Sequence, residues 1–283
     1  MSQILQGLPW TVHLQGVERI LSSIGLQPAS GAQGAYQTHL VEVMGIMDLP
    51  VWTLGRQNPC LGVWRRNCAP RGFLRHNRDQ VEAMSGLPKS LLDVISGMDS
   101  SDSELQLWNW AGAHGSLAQT QLWEAYRLAC ILTHRQCGTS IRSNCTASPT
   151  FPVGGQVPTG TSQGSKAPIS TELLVTRIVS SLDAVERTLR PSSDTRRSAR
   201  LPTNALLYPA VVAALQADVF EMYTEYKDVV RRSLRVADEP KIGEQTPLLL
   251  NLVEEIWQKS QDHSGPVNVD DLLRARGLEL SLL

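Results

Sequence analysis

No Cys-x-x-Cys pair occurs anywhere in this chain, phenylalanine is reduced to three residues, and neither sign of charge prevails: 26 Lys and Arg face 27 Asp and Glu, a formal charge of −1. Each scarcity excludes something. The five cysteines, Cys60, Cys68, Cys130, Cys137 and Cys145, lack the paired spacing of a thiolate zinc site. A chain of 283 residues can bury a core without disulfides as a substitute. Near-neutral charge argues against whole-chain binding to duplex nucleic acid, whose affinity comes largely from Lys and Arg neutralising phosphates. No long apolar run exists: Leu206 to Leu215 covers about ten residues with Pro209 inside, where a membrane-spanning helix needs about 20. The opening Met1-Ser2-Gln3-Ile4-Leu5-Gln6 has no basic region ahead of an apolar one, so no signal peptide is expected. The expectation is a soluble, intracellular protein. A hydrophobic share of 42% also excludes a wholly disordered chain.

Strand-like alternation is almost missing, and what is there repeats at three and four. Trp10, Leu14, Val17, Leu21 and Ile24 form one apolar stripe, stopping before Gly25. Tyr36, Leu40, Val43, Met44 and Met47 form a second, and Leu87, Leu91, Leu92, Ile95 and Met98 a third. Leu122, Trp123, Tyr126, Cys130 and Ile131 give a fourth that should stop near Gly138; Leu174, Ile178, Leu182, Val185 and Leu189 a fifth that ends at Pro191. The longest begins near Thr203 and holds Leu207, Val211, Leu215, Val219, Tyr223, Tyr226 and Val230 on one face for about seven turns. Leu248, Leu249, Leu252, Val253, Ile256 and Trp257 follow, then a short final helix with Leu272 and Leu273. Stripes this wide need other helices to cover them. The fold class expected is all-α, an irregular multi-helix bundle of about eight to ten helices.

Two breaks interrupt the pattern. Residues 138–170 are rich in Gly, Ser, Thr and Pro and contain no acid, too little apolar surface to offset about 1–2 kcal/mol of backbone entropy per ordered residue. They read as a flexible loop inside a single helical domain covering 1–283, since each half looks too small and apolar to stand alone. Residues 190–200 form a basic loop, with Arg196, Arg197 and Arg200 clustered at its end as a candidate nuclear-import signal.

Several motifs invite chemistry and have plainer explanations. Gly160-Thr161-Ser162-Gln163-Gly164 spells a hydrolase nucleophile turn, but that turn must join a buried strand to a helix, and this one lies in the polar break. Cys130, His134 and Cys137 fall on one helix face; the outer pair sits about 10 Å apart at 1.5 Å per residue, too far for one zinc ion with bonds of about 2.0–2.3 Å. Trp64-Arg65-Arg66 through Arg71, Arg75, His76 and Arg78 combines arginines with a ring, as nucleic-acid binders do, and reads equally as a solvated loop or loose helix. Asn144-Cys145-Thr146 matches a glycosylation sequon by letters alone. No catalytic residue, cofactor or metal is expected. Among the seven tryptophans, Trp10, Trp123 and Trp257 fall on apolar faces, where a large ring supplies core area.

Four segments together resemble the fungal-specific transcription factor domain. Trp10-Thr11-Val12-His13-Leu14-Gln15-Gly16 is similar to that family's Trp-x-x-His-Leu-x-Gly helix, and Glu124-Ala125-Tyr126-Arg127-Leu128-Ala129 to its central helix. Leu201-Pro202 with Leu206-Leu207-Tyr208-Pro209-Ala210 and Ala214 is similar to its Pro-x-x-x-x-Leu-Leu-Trp-Pro segment, with Tyr208 in place of Trp and Ala214 where Gly is common. Glu255-Ile256-Trp257, then Val269-Asp270-Asp271-Leu272-Leu273-Arg274-Ala275-Arg276-Gly277 and Leu280, Leu282 and Leu283, is similar to its closing signature, with Asp271 in place of Trp.

The resemblance implies an all-α regulatory module of the kind that follows a zinc binuclear cluster in fungal transcription regulators. The six cysteines of such a cluster are not in this sequence, so autonomous sequence-specific DNA binding is not expected. What is expected is a nuclear transcriptional regulator, or a truncated one, acting through the transcription machinery, a DNA-binding regulator or a second copy of itself. Fungal proteins of this kind serve secondary-metabolite gene clusters or nutrient use. Trp10, Trp123, Tyr126, Tyr208 and Trp257 are the residues expected to form core or effector-pocket walls. The competing reading, drawn from the tryptophans and interior-leaning cysteines, is an all-α small-molecule enzyme or binding protein encoded in a biosynthetic cluster.

Overall fold

The computed structural model describes residues 9–24, 32–69, 79–144, 169–189, 201–236, 245–262 and 267–283. It is an all-α, multi-helix structure, with eleven α-helices among the described residues. Helices α1 (Thr11–Ile24) and α2 (Ala32–Met47) come first. Then follow α3 (Lys89–Ile95), α4 (Ser103–Asn109), α5 (Leu117–Asn144) and α6 (Thr171–Leu189), and after them α7 (Leu207–Ala214), α8 (Ala217–Met222) and α9 (Tyr226–Val236). Helices α10 (Gln245–Gln261) and α11 (Val269–Ala275) close the order. Among the described residues no helix is long and apolar enough to cross a membrane.

The centre is built around α5, whose 28 residues run about 42 Å. Helix α6 packs along it, and α7 and α4 also lie against it. Every residue of α7 is buried, so it needs cover on all sides, and it receives it from α5, α6, α9 and α10. The buried side chains form one continuous apolar cluster.

Three expectations need correction. The seven-turn stripe beginning near Thr203 is not one helix: it is a 3-10 turn at Thr203–Leu206 followed by α7, α8 and α9. The chain turns at Gln216 (φ −88°, ψ 63°) and again at Tyr223 (φ −124°, ψ 77°), and no Gly or Pro marks either turn. Packing overrides propensity there: the turns let Phe220 stack on Trp257 and Tyr223 on Tyr226, with ring centroids 5.2 and 5.1 Å apart. Gly138 does not end α5, which continues to Asn144, so residues 138–144 belong to a helix and not to the expected loop. An isolated glycine costs about 1 kcal/mol against alanine, which a long helix absorbs. Val17, Tyr36 and Leu40, expected in the core, are 44%, 64% and 38% exposed.

One short antiparallel pair joins distant parts of the chain. Strand β1 (Thr53–Leu54) pairs with β2 (Leu280–Ser281) in the register Thr53↔Ser281 and Leu54↔Leu280, and Leu282 N–H donates to Trp52 O at 2.8 Å. Gly55 then turns the chain with φ 69°, and a Cβ there would lie 2.5 Å from Leu278 O. Only glycine meets both demands. Its N–H donates to Asp270 at 2.7 Å, in the first turn of α11. That helix is capped by Asn268, whose side chain accepts from Asp271 N–H, and the two aspartates suit the positive end of its dipole.

Candidate functional site

The five aromatic residues expected to wall a core or pocket do not meet at one place. Tyr126 on α5 and Tyr208 on α7 stack, with centroids 5.4 Å apart and planes at 29°. Trp52, in the 3-10 turn Pro50–Trp52, meets Tyr126 edge-on at 6.4 Å. The Tyr208 hydroxyl shares a hydrogen bond with Thr133 Oγ1 at 3.0 Å and reaches Cys130 Sγ at 3.5 Å. Burial pushes the Cys130 thiol up to about 12 and lifts the Tyr126 and Tyr208 phenols well above their ordinary range. These groups stay protonated, which suits packing and not proton transfer near neutral pH. The Tyr126 hydroxyl and the Trp52 indole N–H lie toward each other without hydrogen-bond geometry, so both are buried unpaired.

Trp123 and Trp257 are anchors elsewhere in the core. The Trp123 indole donates to Gly86 O at 2.8 Å. The Trp257 indole donates to Ala214 O at 3.0 Å, while Lys227 Nζ and Arg231 Cζ lie 5.2 and 5.4 Å from its ring centroid.

Of the five, Trp10 lines a cavity. This partly enclosed space of about 140 Å³ is walled by Trp10 and Trp52, by Met47 at the end of α2 and Met84, and by Asn204, Ser281 and Leu283. The Trp10 indole N–H is buried with no hydrogen-bond partner.

Buried carboxylates hold these walls in place. Glu279, 1% exposed, accepts from Trp10 N–H at 2.7 Å, Thr11 N–H at 2.9 Å, Thr11 Oγ1 at 2.7 Å and Gln57 N–H at 2.7 Å. It thus satisfies N–H groups at the start of α1 that have no partner within the helix. Asp48, directly after α2, accepts from Arg56, Leu61 N–H and Val63 N–H at 2.8, 2.8 and 3.1 Å. Glu82 fixes the turn carrying Met84 through Met84 N–H, Ser85 N–H and the Ser85 hydroxyl. Sequence reasoning passed over Trp52, Glu279 and Asn204. Pro50 beside Trp52 was the one local signal; an isolated glutamate in an apolar tail carries none.

The other motifs separate. Trp64 is 1% exposed and donates to Asp93 at 2.9 Å, so it cannot stack on a base. Arg65 and Arg66 pair with Asp99 and Glu18 at the surface. Cys130 is buried, and His134 Nδ1 lies 3.3 Å from Met98 O. Among the described residues no group of three His, Cys, Asp or Glu is placed to hold a metal ion. The side chain of Cys137, the Gly160–Gly164 motif, Arg71 to Arg78, and Arg196, Arg197 and Arg200 lie outside the described residues. Comparison with protein-family models, with curated proteins and with solved structures finds no match.

Proposed function

We propose that this chain is a helical regulatory module of transcription, working in the nucleus through protein contacts. The observation that carries the proposal is the convergence of the four segments that carry the resemblance. Thr11 in the first bonds Glu279, which lies between Gly277 and Leu280 of the fourth. Tyr126 in the second stacks on Tyr208 in the third. Trp257 in the fourth donates to Ala214 in the third. The cavity closes the ring, with Trp10, Asn204, Ser281 and Leu283 on its walls and Trp52 running from it to Tyr126. Segments brought together from all parts of the chain into one packed unit are what a shared regulatory domain requires.

In this reading the partners are the transcription machinery, a DNA-binding regulator or a second copy, and Arg196, Arg197 and Arg200 direct nuclear import. The genes controlled belong to a secondary-metabolite cluster or to nutrient use. Transcript profiling of a strain lacking the gene tests it: a defined set of transcripts changes and returns on complementation. An unchanged profile under both starvation and metabolite-producing growth overturns it.

A further inference from the structure

We infer that the cavity between α1, the Pro50–Trp52 turn and the β2 tail binds a small uncharged ring compound with one hydroxyl-type group, of the size of a phenol. The inference goes beyond transcription and does not depend on it. Size sets the first limit: about 140 Å³ matches the volume of about 150 Å³ that admits benzene in an apolar protein cavity. Wall chemistry sets the second. The rings of Trp10 and Trp52 and the thioethers of Met47 and Met84 present flat, polarizable surfaces that favour an aromatic occupant. None of the lining side chains is charged, and burying an ionised ligand without a counter-charge is costly.

Polarity sets the third limit. Asn204 lines the cavity, and its carboxamide both donates and accepts. A hydroxyl on the ring answers it, donating to the amide oxygen or accepting from the amide N–H₂. Because Glu279 holds Trp10 at the wall through the Trp10 and Thr11 amides, the ligand selects the state in which α1 is docked and stabilises it by mass action.

The test uses the full chain labelled with methyl-¹³C methionine and titrated with p-cresol, with toluene and benzoate as controls. The Met47 and Met84 methyls shift saturably while Met98 and Met222 stay still. p-Cresol binds about tenfold more tightly than toluene, which lacks only the hydroxyl, the worth of one good hydrogen bond, and benzoate does not bind. Met84→Trp fills the space and abolishes the Met47 shift. Asn204→Leu keeps toluene binding and loses the preference for p-cresol. Non-saturating shifts at all four methyls, no shift at Met47 and Met84, or undiminished p-cresol binding by Met84→Trp overturns the site. Equal affinity for toluene and p-cresol overturns the polar selectivity. Each reading is made on the purified chain, so failure here leaves the transcript profile to judge the regulatory role separately.

Discussion

Thr11 and Glu279, 268 positions apart, are bonded twice: the Thr11 N–H and hydroxyl donate to the Glu279 carboxylate at 2.9 and 2.7 Å. That contact fastens α1 to the β2 end of the chain and sets Trp10 on the cavity wall. Glu279→Gln keeps the shape but turns an amide N–H₂ toward donors. It is expected to lower unfolding free energy by about 2–3 kcal/mol, read from urea denaturation. Hydrogen exchange is expected to speed up most in α1.

The two stacked tyrosines should respond oppositely to loss of their hydroxyls. Tyr126 Oη is buried with no partner, so Tyr126→Phe removes an uncompensated polar atom and is expected to stabilise by about 1 kcal/mol. Tyr208 Oη is paired with Thr133, so Tyr208→Phe is expected to destabilise by about 1 kcal/mol. Thermal unfolding of the two variants side by side checks the contrast.

Most helix positions were legible from period alone, because α5, α6 and α10 each present a broad buried face to neighbours. The exposure of Val17, Tyr36 and Leu40 was not, since periodicity reports an apolar stripe but not what covers it. Nor were the turns at Gln216 and Tyr223: a helical repeat that carries on in phase across a change of direction leaves no trace in spacing. The β1–β2 pair is two residues long in each strand, below the length at which alternation is visible. Of the cavity, only Trp10 was foreseen. Asn204 and Ser281 reach it through tertiary contacts that no local pattern encodes.

Acid should separate wild type from a surface variant between α10 and the end of α11. The Arg276 guanidinium, joined by the Lys259 ammonium, holds the Glu255 carboxyl down at about 2, below its ordinary 4.5. The folded state favours the ionised form, so the contribution is complete above pH 4.5 and fades as pH falls toward 2. The side chains involved are partly exposed, which limits its size to about 0.5–1 kcal/mol. Glu255→Gln should be less stable than wild type by that margin at pH 6, and the gap should close through this window in urea titrations at stepped pH.

Thiol reactivity should divide by burial. With its thiol pushed up to about 12, Cys130 is thiolate in only about one molecule in ten thousand at pH 8, and it is also fully enclosed. Cys60 is exposed, although desolvation raises its thiol above the ordinary 9.0. Iodoacetamide on the native chain, mapped by mass spectrometry, is expected to label Cys60 and to spare Cys130 until denaturant is added.

Chromatin occupancy of an epitope-tagged chain, in the strain whose transcripts respond to its deletion, tests the central claim most directly. The account predicts enrichment at the promoters of the responding genes, while the purified chain alone gives no sequence-specific shift of the same duplexes. A tagged chain that complements the deletion yet is found at none of those promoters would contradict it.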